Sequence, residues 1–240
     1  MNPVYPSKSF ADAMRSGEVL KRIQAHYVVS VAQAENDYVH QHEELLAEAQ
    51  GEAYASLDET VEGEDGRSYH LVAEYRKLHK RRKAAGDVDR SRGIFQIELS
   101  DDPRPVRYRV GLLFQAKVRW RGRDAGLLDQ SRRLNGNFRR AMVIDYSPDG
   151  YKAASTAHVI AADGDRKRMR NRVRTLSEML AIEFVHGRMG IVNLYWDNDE
   201  ERLHDPTEPG DSLSIEHVFS IRVRRFSSRF GASPDKSSNP

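Results

Sequence analysis

The chain contains no cysteine. Disulfides, thiolate zinc sites, iron–sulfur clusters and cysteine nucleophiles are therefore excluded. No apolar run approaches the ~18 residues that a membrane-spanning helix requires. The N-terminal stretch MNPVYPSKSFADAMRSGEVLKR has no apolar core of the kind a secretory signal carries. These two absences predict a cytoplasmic protein with no membrane association. Net charge is also scarce: 38 Lys and Arg face 36 Asp and Glu, leaving +2. A balance this close does not announce a nucleic-acid binder, so any basic face must be local. What the chain does have is length and charge density. Its 240 residues, 31% charged and 39% hydrophobic, can bury one good-sized core or two small ones.

The first quarter reads as helical. Residues 9 to about 60 are rich in Ala, Glu and Gln and lack proline, with Gly17 as a break and Leu45, Leu46, Ala49 and Ala53 at helical spacing. EGEDGRS (62–68) reads as a polar turn. Residues 69–79 leave strand and helix both open. From Gly93 the pattern turns to strand. GIFQIELS places Ile94, Gln96 and Glu98 on one face and Phe95, Ile97 and Leu99 on the other. DDPRP is a turn, VRYRVGLLFQAKVRW the second arm of a hairpin, and DAGLLDQSRRLNGNF a helix ending near Asn135-Gly136. RAMVIDYSPDGYKAA reads as a strand and a Pro-Asp-Gly turn, and DRKRMRNRVRTLSEMLAIEFVHGRMG as a second helix with a basic opening. GIVNLYWD and SIEHVFSIRVRRF supply later strands. This order predicts one mixed α/β domain: an N-terminal helical extension over 1–36, a main domain over 37–228 and a disordered tail over 229–240.

Familiar catalytic patterns fail on inspection. HQHEELL lacks the second His four residues after His42, where Leu46 stands, so it is no zinc-protease helix. RLNGNFRR lacks the Gly-Lys-Ser/Thr ending of a phosphate loop, and no Gly-x-Ser-x-Gly elbow occurs. The nine His show no metal-ligand spacing. Two features survive. DRKRMRNRVR (165–174) holds six Arg or Lys in ten residues. It is either a solvated helix face or a phosphate-contacting surface, with Arg166, Arg170 and Arg174 forming one helical row. The other feature is GLLFQAKVRW. There an amide, Gln115, and an ammonium, Lys117, share one face of an otherwise apolar strand, with Arg119, Arg121 and Arg123 directly after. An edge strand or a wetted sheet face would account for the pair without any function.

The order of elements around GLLFQAK resembles the PD-(D/E)XK nuclease superfamily, in the branch where Gln replaces the second acid. Mrr-like restriction enzymes and many bacterial defence-associated nucleases belong to that branch. The resemblance covers roughly 40–195. HEELLAE looks like the Glu-bearing helix, with Glu43 or Glu44 in that role. GLLFQAK matches the strand motif, LLDQSRRL with Gln130 looks like the helix that follows, and AMVIDYSPDG is similar to the next strand. The resemblance implies a restriction-endonuclease-like mixed central sheet flanked by helices. It also implies a DNA endonuclease using Mg²⁺ or Mn²⁺, or a catalytically inactive nuclease-like subunit that binds DNA or scaffolds a partner. Further expectations are a partner protein encoded in the same defence operon and a homo-oligomer. One departure stands out: relatives often carry Gly-Ala-Asp before the first hairpin strand, and here Gly93-Ile94-Phe95 offers no Asp. Glu98, seventeen residues before Gln115, and Asp89 are the candidate replacements.

The chemistry states why these residue types matter. A divalent cation held by oxygen ligands activates water and neutralises charge growing on the phosphorus. The resemblance thus makes Glu98, Asp89 and Gln115 the metal ligands and Glu44, Glu98, Gln115 and Lys117 the catalytic set. Lys117 would position water or stabilise the phosphate. The basic residues Arg119, Arg121, Arg166, Arg170 and Arg174 are the candidate nucleic-acid contacts.

Overall fold

The computed structural model describes residues 10–14, 16–36, 38, 43–78, 92–101, 106–134, 139–207 and 213–226. Three helices open the chain: α1 (Phe10–Met14), α2 (Gly17–Asn36) and α3 (Glu43–Tyr54). The break before α2 falls beside Gly17, as the sequence predicts. Strands β1 (Asp58–Glu62) and β2 (Ser68–Lys77) follow, joined by a tight turn in which Gly66 adopts φ +69°. The undecided stretch 69–79 is thus strand through Lys77. The hairpin β3 (Arg92–Asp101) and β4 (Val106–Val118) comes next, then α4 (Ala125–Leu134) and β5 (Ala141–Tyr146). A shorter group completes the body: β6 (Lys152–Ser155), α5 (Thr156–Ala161), β7 (Arg174–Thr175), α6 (Leu176–Glu178), β8 (Ile191–Val192), β9 (Tyr195–Asp197) and β10 (Arg202–His204). Strand β11 (His217–Phe226) is the last element among the described residues.

Nine strands form one mixed sheet in the order β1-β2-β11-β3-β4-β5-β6-β7, with β8 attached to β4. β11 lies between β2 and β3, antiparallel to the first and parallel to the second. β4 runs parallel to β5, and α4 supplies the crossover that parallel strands require. Helices cover both faces. One face, built from Phe95, Leu112, Phe114, Met142, Ile144 and Phe219, packs under α1, α2, α3 and residues 176–184. Residues 10–36, expected as an extension, therefore form part of the main core: Phe10, Met14, Ile23 and Tyr27 are fully buried there. The opposite face carries two smaller clusters. Trp120, Leu127, Val143 and Val159 pack beneath α4 and α5, while Ile94, Leu113, Leu194 and Val218 pack beneath β8 and β9.

Local chemistry explains several choices. Gly51 sits inside α3, where glycine costs ~1 kcal/mol against alanine. A Cβ there would lie 2.4 Å from the Tyr75 ring, so its absence lets α3 dock closely on β2. Ser155 caps α5 by accepting from the His158 N–H, and Thr175 with Glu178 closes a capping box on α6.

The basic run corrects the expectation of a helix over 165–174. Only Arg166–Met169 turns, as a short 3₁₀ segment capped by Asp165. Asp163 and Gly164, both at positive φ, bend the chain just before it. An isolated bridge from Asp165 to Arg123 fixes it to the loop after β4. The following residues reach β7, and the expected helix begins only at Leu176, continuing as a π-helical turn over Met179–Phe184. No helix among the described residues is long and apolar enough to cross a membrane. The basic stretch 79–83, Asp89 and the tail 229–240 lie outside the described residues.

Candidate functional site

Gln115 and Lys117 do share a face. They occupy the sheet side opposite α1–α3, with Leu113 before them. Gln115 is buried, and the residue directly across the hairpin is Arg92, itself buried, whose Nε donates to Gln115 Oε1 at 3.3 Å. A cation thus stands where the resemblance calls for an acid. Glu98 pairs opposite Arg109 instead, six residues further along β3. At ~3.3 Å per residue that is roughly 20 Å from Gln115, too far to share an ion. Its Oε1 lies 3.4 Å from Arg109 Nε. Burial pushes the Glu98 carboxyl above its ordinary value, against the pull of Arg109 and Arg222. Glu44 belongs to α3, which packs on the other face of the sheet, and Asp89 lies outside the described residues. The expected oxygen set for a divalent ion does not assemble among the described residues.

Lys117 sits at the carboxyl end of β4, and its Nζ lies 2.9 Å from Asp124 Oδ2. Asp124 also caps the first turn of α4 through the Leu127 N–H at 2.9 Å. Partial burial raises the Asp124 carboxyl, but the Leu127 N–H and Lys117 outweigh it and hold the group below its ordinary range. Across the parallel pair, Asp145 on β5 stands in register with Lys117. Its Oδ1 accepts from the Trp120 N–H at 2.8 Å, and its Oδ2 lies 3.4 Å from Arg166 Nε. Burial raises the Asp145 carboxyl, while the Trp120 N–H and Arg166 oppose it. One carboxylate therefore ties β5 to the loop after β4 and to the basic segment.

These segments border a cleft of about 750 Å³ lined by residues of 119–122, 145–152 and 166–170. It opens beyond the carboxyl ends of the parallel strands β4 and β5, where open α/β sheets place their ligand crevices. Its cations are Arg119, Arg121, Lys152, Arg166, Lys167 and Arg170; its anions are Asp145 and Asp149. Among the described residues, only Arg166 of those six makes an ion pair with a carboxylate. Cations elsewhere are commonly neutralised, as in Arg123–Asp163, Arg188–Glu183 and Arg222–Glu74. Arg174, expected in the same row as Arg166 and Arg170, points away from it: its Nη2 lies 3.5 Å from Glu183 Oε1. Four of the five basic residues singled out from the sequence thus line one cleft. Lys167 comes from the same basic run, while Lys152, Asp145 and Trp120 join them unannounced, although an acid inside the apolar strand AMVIDY was a visible signal.

Arg119 holds φ at +52°, a left-handed conformation that costs ~1–2 kcal/mol for a residue with a Cβ. It ends β4, with its N–H donating to Tyr146 O at 2.9 Å. Arg119→Gly is expected to weaken polyanion binding without lowering the urea midpoint, since glycine takes this backbone freely. A fallen midpoint would show that the side chain is structural.

A separate group could hold a metal ion. Ligand atoms of Asp197, Glu200 and His204, around the β9–β10 hairpin, lie within 4.8 Å of one another. The His204 ring stacks on Tyr195 at 4.6 Å, and Arg202 Nε reaches both Glu200 and His204. Arg109, whose guanidinium lies over Tyr195, is eight residues along β4 from Lys117, so this group sits ~25 Å from the cleft. Comparison with protein-family models, curated proteins and solved structures returned no match.

Proposed function

We propose that the chain is a nuclease-like module that holds the phosphate backbone of nucleic acid in the cleft at the ends of β4 and β5. The observation that carries this reading is the cluster of Arg119, Arg121, Lys152, Lys167 and Arg170. They line one concave surface, and none of the five makes a close ion pair among the described residues, although Lys152 feels the charge of Glu178. Unpaired cations gathered in a cleft favour a polyanion, and neutralising phosphates releases counterions. The antiparallel β3–β4 hairpin, α4 and the parallel β5 follow the order that the resemblance to PD-(D/E)XK nucleases calls for. DNA is the ligand that resemblance favours. Among the described residues the oxygen ligands for Mg²⁺ or Mn²⁺ are not assembled around Gln115, so the reading favours the non-catalytic member, which holds DNA beside a partner of a bacterial defence assembly.

Filter binding tests this directly. A triple variant, Arg121→Ala with Lys167→Ala and Arg170→Ala, removes three exposed side chains that make no ion pair among the described residues. Its affinity for DNA is expected to fall at least about tenfold at moderate salt, and its salt slope to flatten by roughly 2–3. Arg174→Ala, which removes a charge already paired with Glu183, is expected to bind like the wild type. Equal affinity of wild type and triple variant would overturn the proposal. Incubation with Mg²⁺ or Mn²⁺ is expected to leave DNA intact; cleavage lost in Lys117→Ala would instead establish the catalytic reading.

A further inference from the structure

The same cleft says which part of a nucleic acid it suits, an inference that rests on the reading just given. A duplex displays its phosphates along two strands, across grooves ~12 Å and ~6 Å wide. Reading both strands takes cations spread along a ridge or a long channel. Here the cations are gathered around one half-open cleft of about 750 Å³ bordered by three chain segments. That volume is in the range of a small-ligand site, and a cluster of charge this compact suits the end of a strand better than the side of a duplex. The charge is concentrated as well, with six cationic side chains against Asp145 and Asp149. An internal phosphodiester brings one negative charge. A terminal phosphomonoester brings about −1.5 to −2 at pH 7 and three acceptor oxygens, which arginine forks bind in pairs.

The pocket also offers little to a base. Its one aromatic residue, Trp120, is 5% exposed, with the Arg166 guanidinium 5.9 Å from its ring centre and its Nε1 donating to Gly164 O. Proteins that grip single strands by their bases need open aromatic faces for stacking. This surface has arginines and lysines in their place, so it recognises phosphate.

We propose that the cleft receives the phosphorylated end of a nucleic-acid strand, its terminal phosphomonoester held between Arg119 and Arg121 on one wall and Lys167 and Arg170 on the other. The test is fluorescence anisotropy of the full chain with one DNA sequence in five forms. Four are single-stranded: bearing a 5′-phosphate, bearing a 3′-phosphate, hydroxyl at both ends, and covalently circular. The fifth is a blunt, hydroxyl-ended duplex. One of the phosphorylated strands is expected to bind at least about tenfold tighter than the hydroxyl-ended, circular and duplex forms. The two phosphorylated arms show which end is read. The preference is expected to shrink as pH falls through about 6, where the monoester loses its second charge. If all forms bind alike and all lose affinity in the triple variant, strand-end recognition is wrong and backbone binding stands. If none binds, both proposals fall. The comparison among ligands uses wild-type protein, so it holds even where the variant fails to fold.

Discussion

Asp205→Ala is expected to cost the protein 3–5 kcal/mol of folding stability and about 10 °C of melting temperature. Asp205 follows β10 and reaches back to Arg140 at the start of β5, with Oδ2 2.6 Å from Nη2 and 2.9 Å from Nε. Neither side chain meets water: Arg140 is 0% exposed and Asp205 3%. Both side chains have further partners, although Arg140 Nη2 meets Asp205 as a close ion pair and not as an aligned hydrogen bond. Arg140 Nη1 also donates to Leu134 O, and Asp205 Oδ1 accepts from the Thr207 N–H and hydroxyl. Removing the carboxylate strands a guanidinium in the interior, which costs far more than the pair contributes net. The double replacement Arg140→Met with Asp205→Leu is therefore expected to recover most of the loss. Urea denaturation of the three proteins decides it. A single variant within ~1 kcal/mol of wild type would mean that Arg140 finds another partner.

Acid is expected to destabilise the fold through His26. This residue lies on α2, 8% exposed, with its ring 5.1 Å from that of Tyr54 and its Nε2 without a hydrogen-bond partner among the described residues. Burial lowers its pKa from 6.5 to about 4, with a backbone hydrogen bond at Tyr54 working the other way. The sign follows from which state takes the proton. Above 6.5 the imidazole is neutral folded and unfolded, and its contribution is flat. Between 6.5 and about 4 the unfolded chain is protonated and the folded one is not, so stability falls as pH falls. Below about 4 both are protonated and the loss levels off. At ~1.4 kcal/mol per pH unit the loss reaches about 3 kcal/mol. Buried carboxyls such as Glu98 and Asp145, whose pKa values are raised, contribute slopes of the opposite sign. The His26 share is thus read as the difference between wild type and His26→Phe in urea midpoints from pH 7 to pH 4. A wild-type loss that persists unchanged in His26→Phe would assign it elsewhere.

Local patterns in the sequence carried the strands and part of the site. The period of two in GIFQIELS and GLLFQAK placed Glu98 on one face of β3 and put Gln115 beside Lys117 on β4, because side-chain alternation is a property of each strand alone. Arg119 and Arg121 were legible for the same reason, being next to Lys117 in the chain. What failed depended on register and on neighbours. Whether Arg92 or Glu98 faces Gln115 is decided by how the β3–β4 hairpin slides, and alternation is indifferent to a slide of two, four or six residues. The face on which α3, the helix of Glu44, packs is set by the whole sheet and is not written in the helix itself. The helix expected over 165–174 ignored Asp163-Gly164-Asp165, a bend and cap that favour a short turn, and β-branched Val173 and Thr175, which suit an edge strand. The row of three arginines dissolved with it, yet Arg166 and Arg170 met Arg119 and Arg121 through tertiary contact.

The position of β11 has a consequence for how the chain reaches this shape. β2 and β3 do not pair with one another; both pair with β11, ten residues that follow them by more than a hundred. During synthesis the β1–β2 hairpin and the β3–β4 hairpin must wait side by side, each with an open apolar edge, until residues 217–226 arrive to bridge them. The central aromatic contact of Phe219 with Phe95, 4.5 Å between ring centres, does not exist before then. Such long-range closure is slow and leaves unpaired edges exposed. Ribosome-bound chains halted before residue 217 should remain protease-sensitive at β2 and β3, with protection appearing in one step once β11 has cleared the exit tunnel. Among the described residues the sheet is keyed by its last strand, which joins two hairpins that do not otherwise pair.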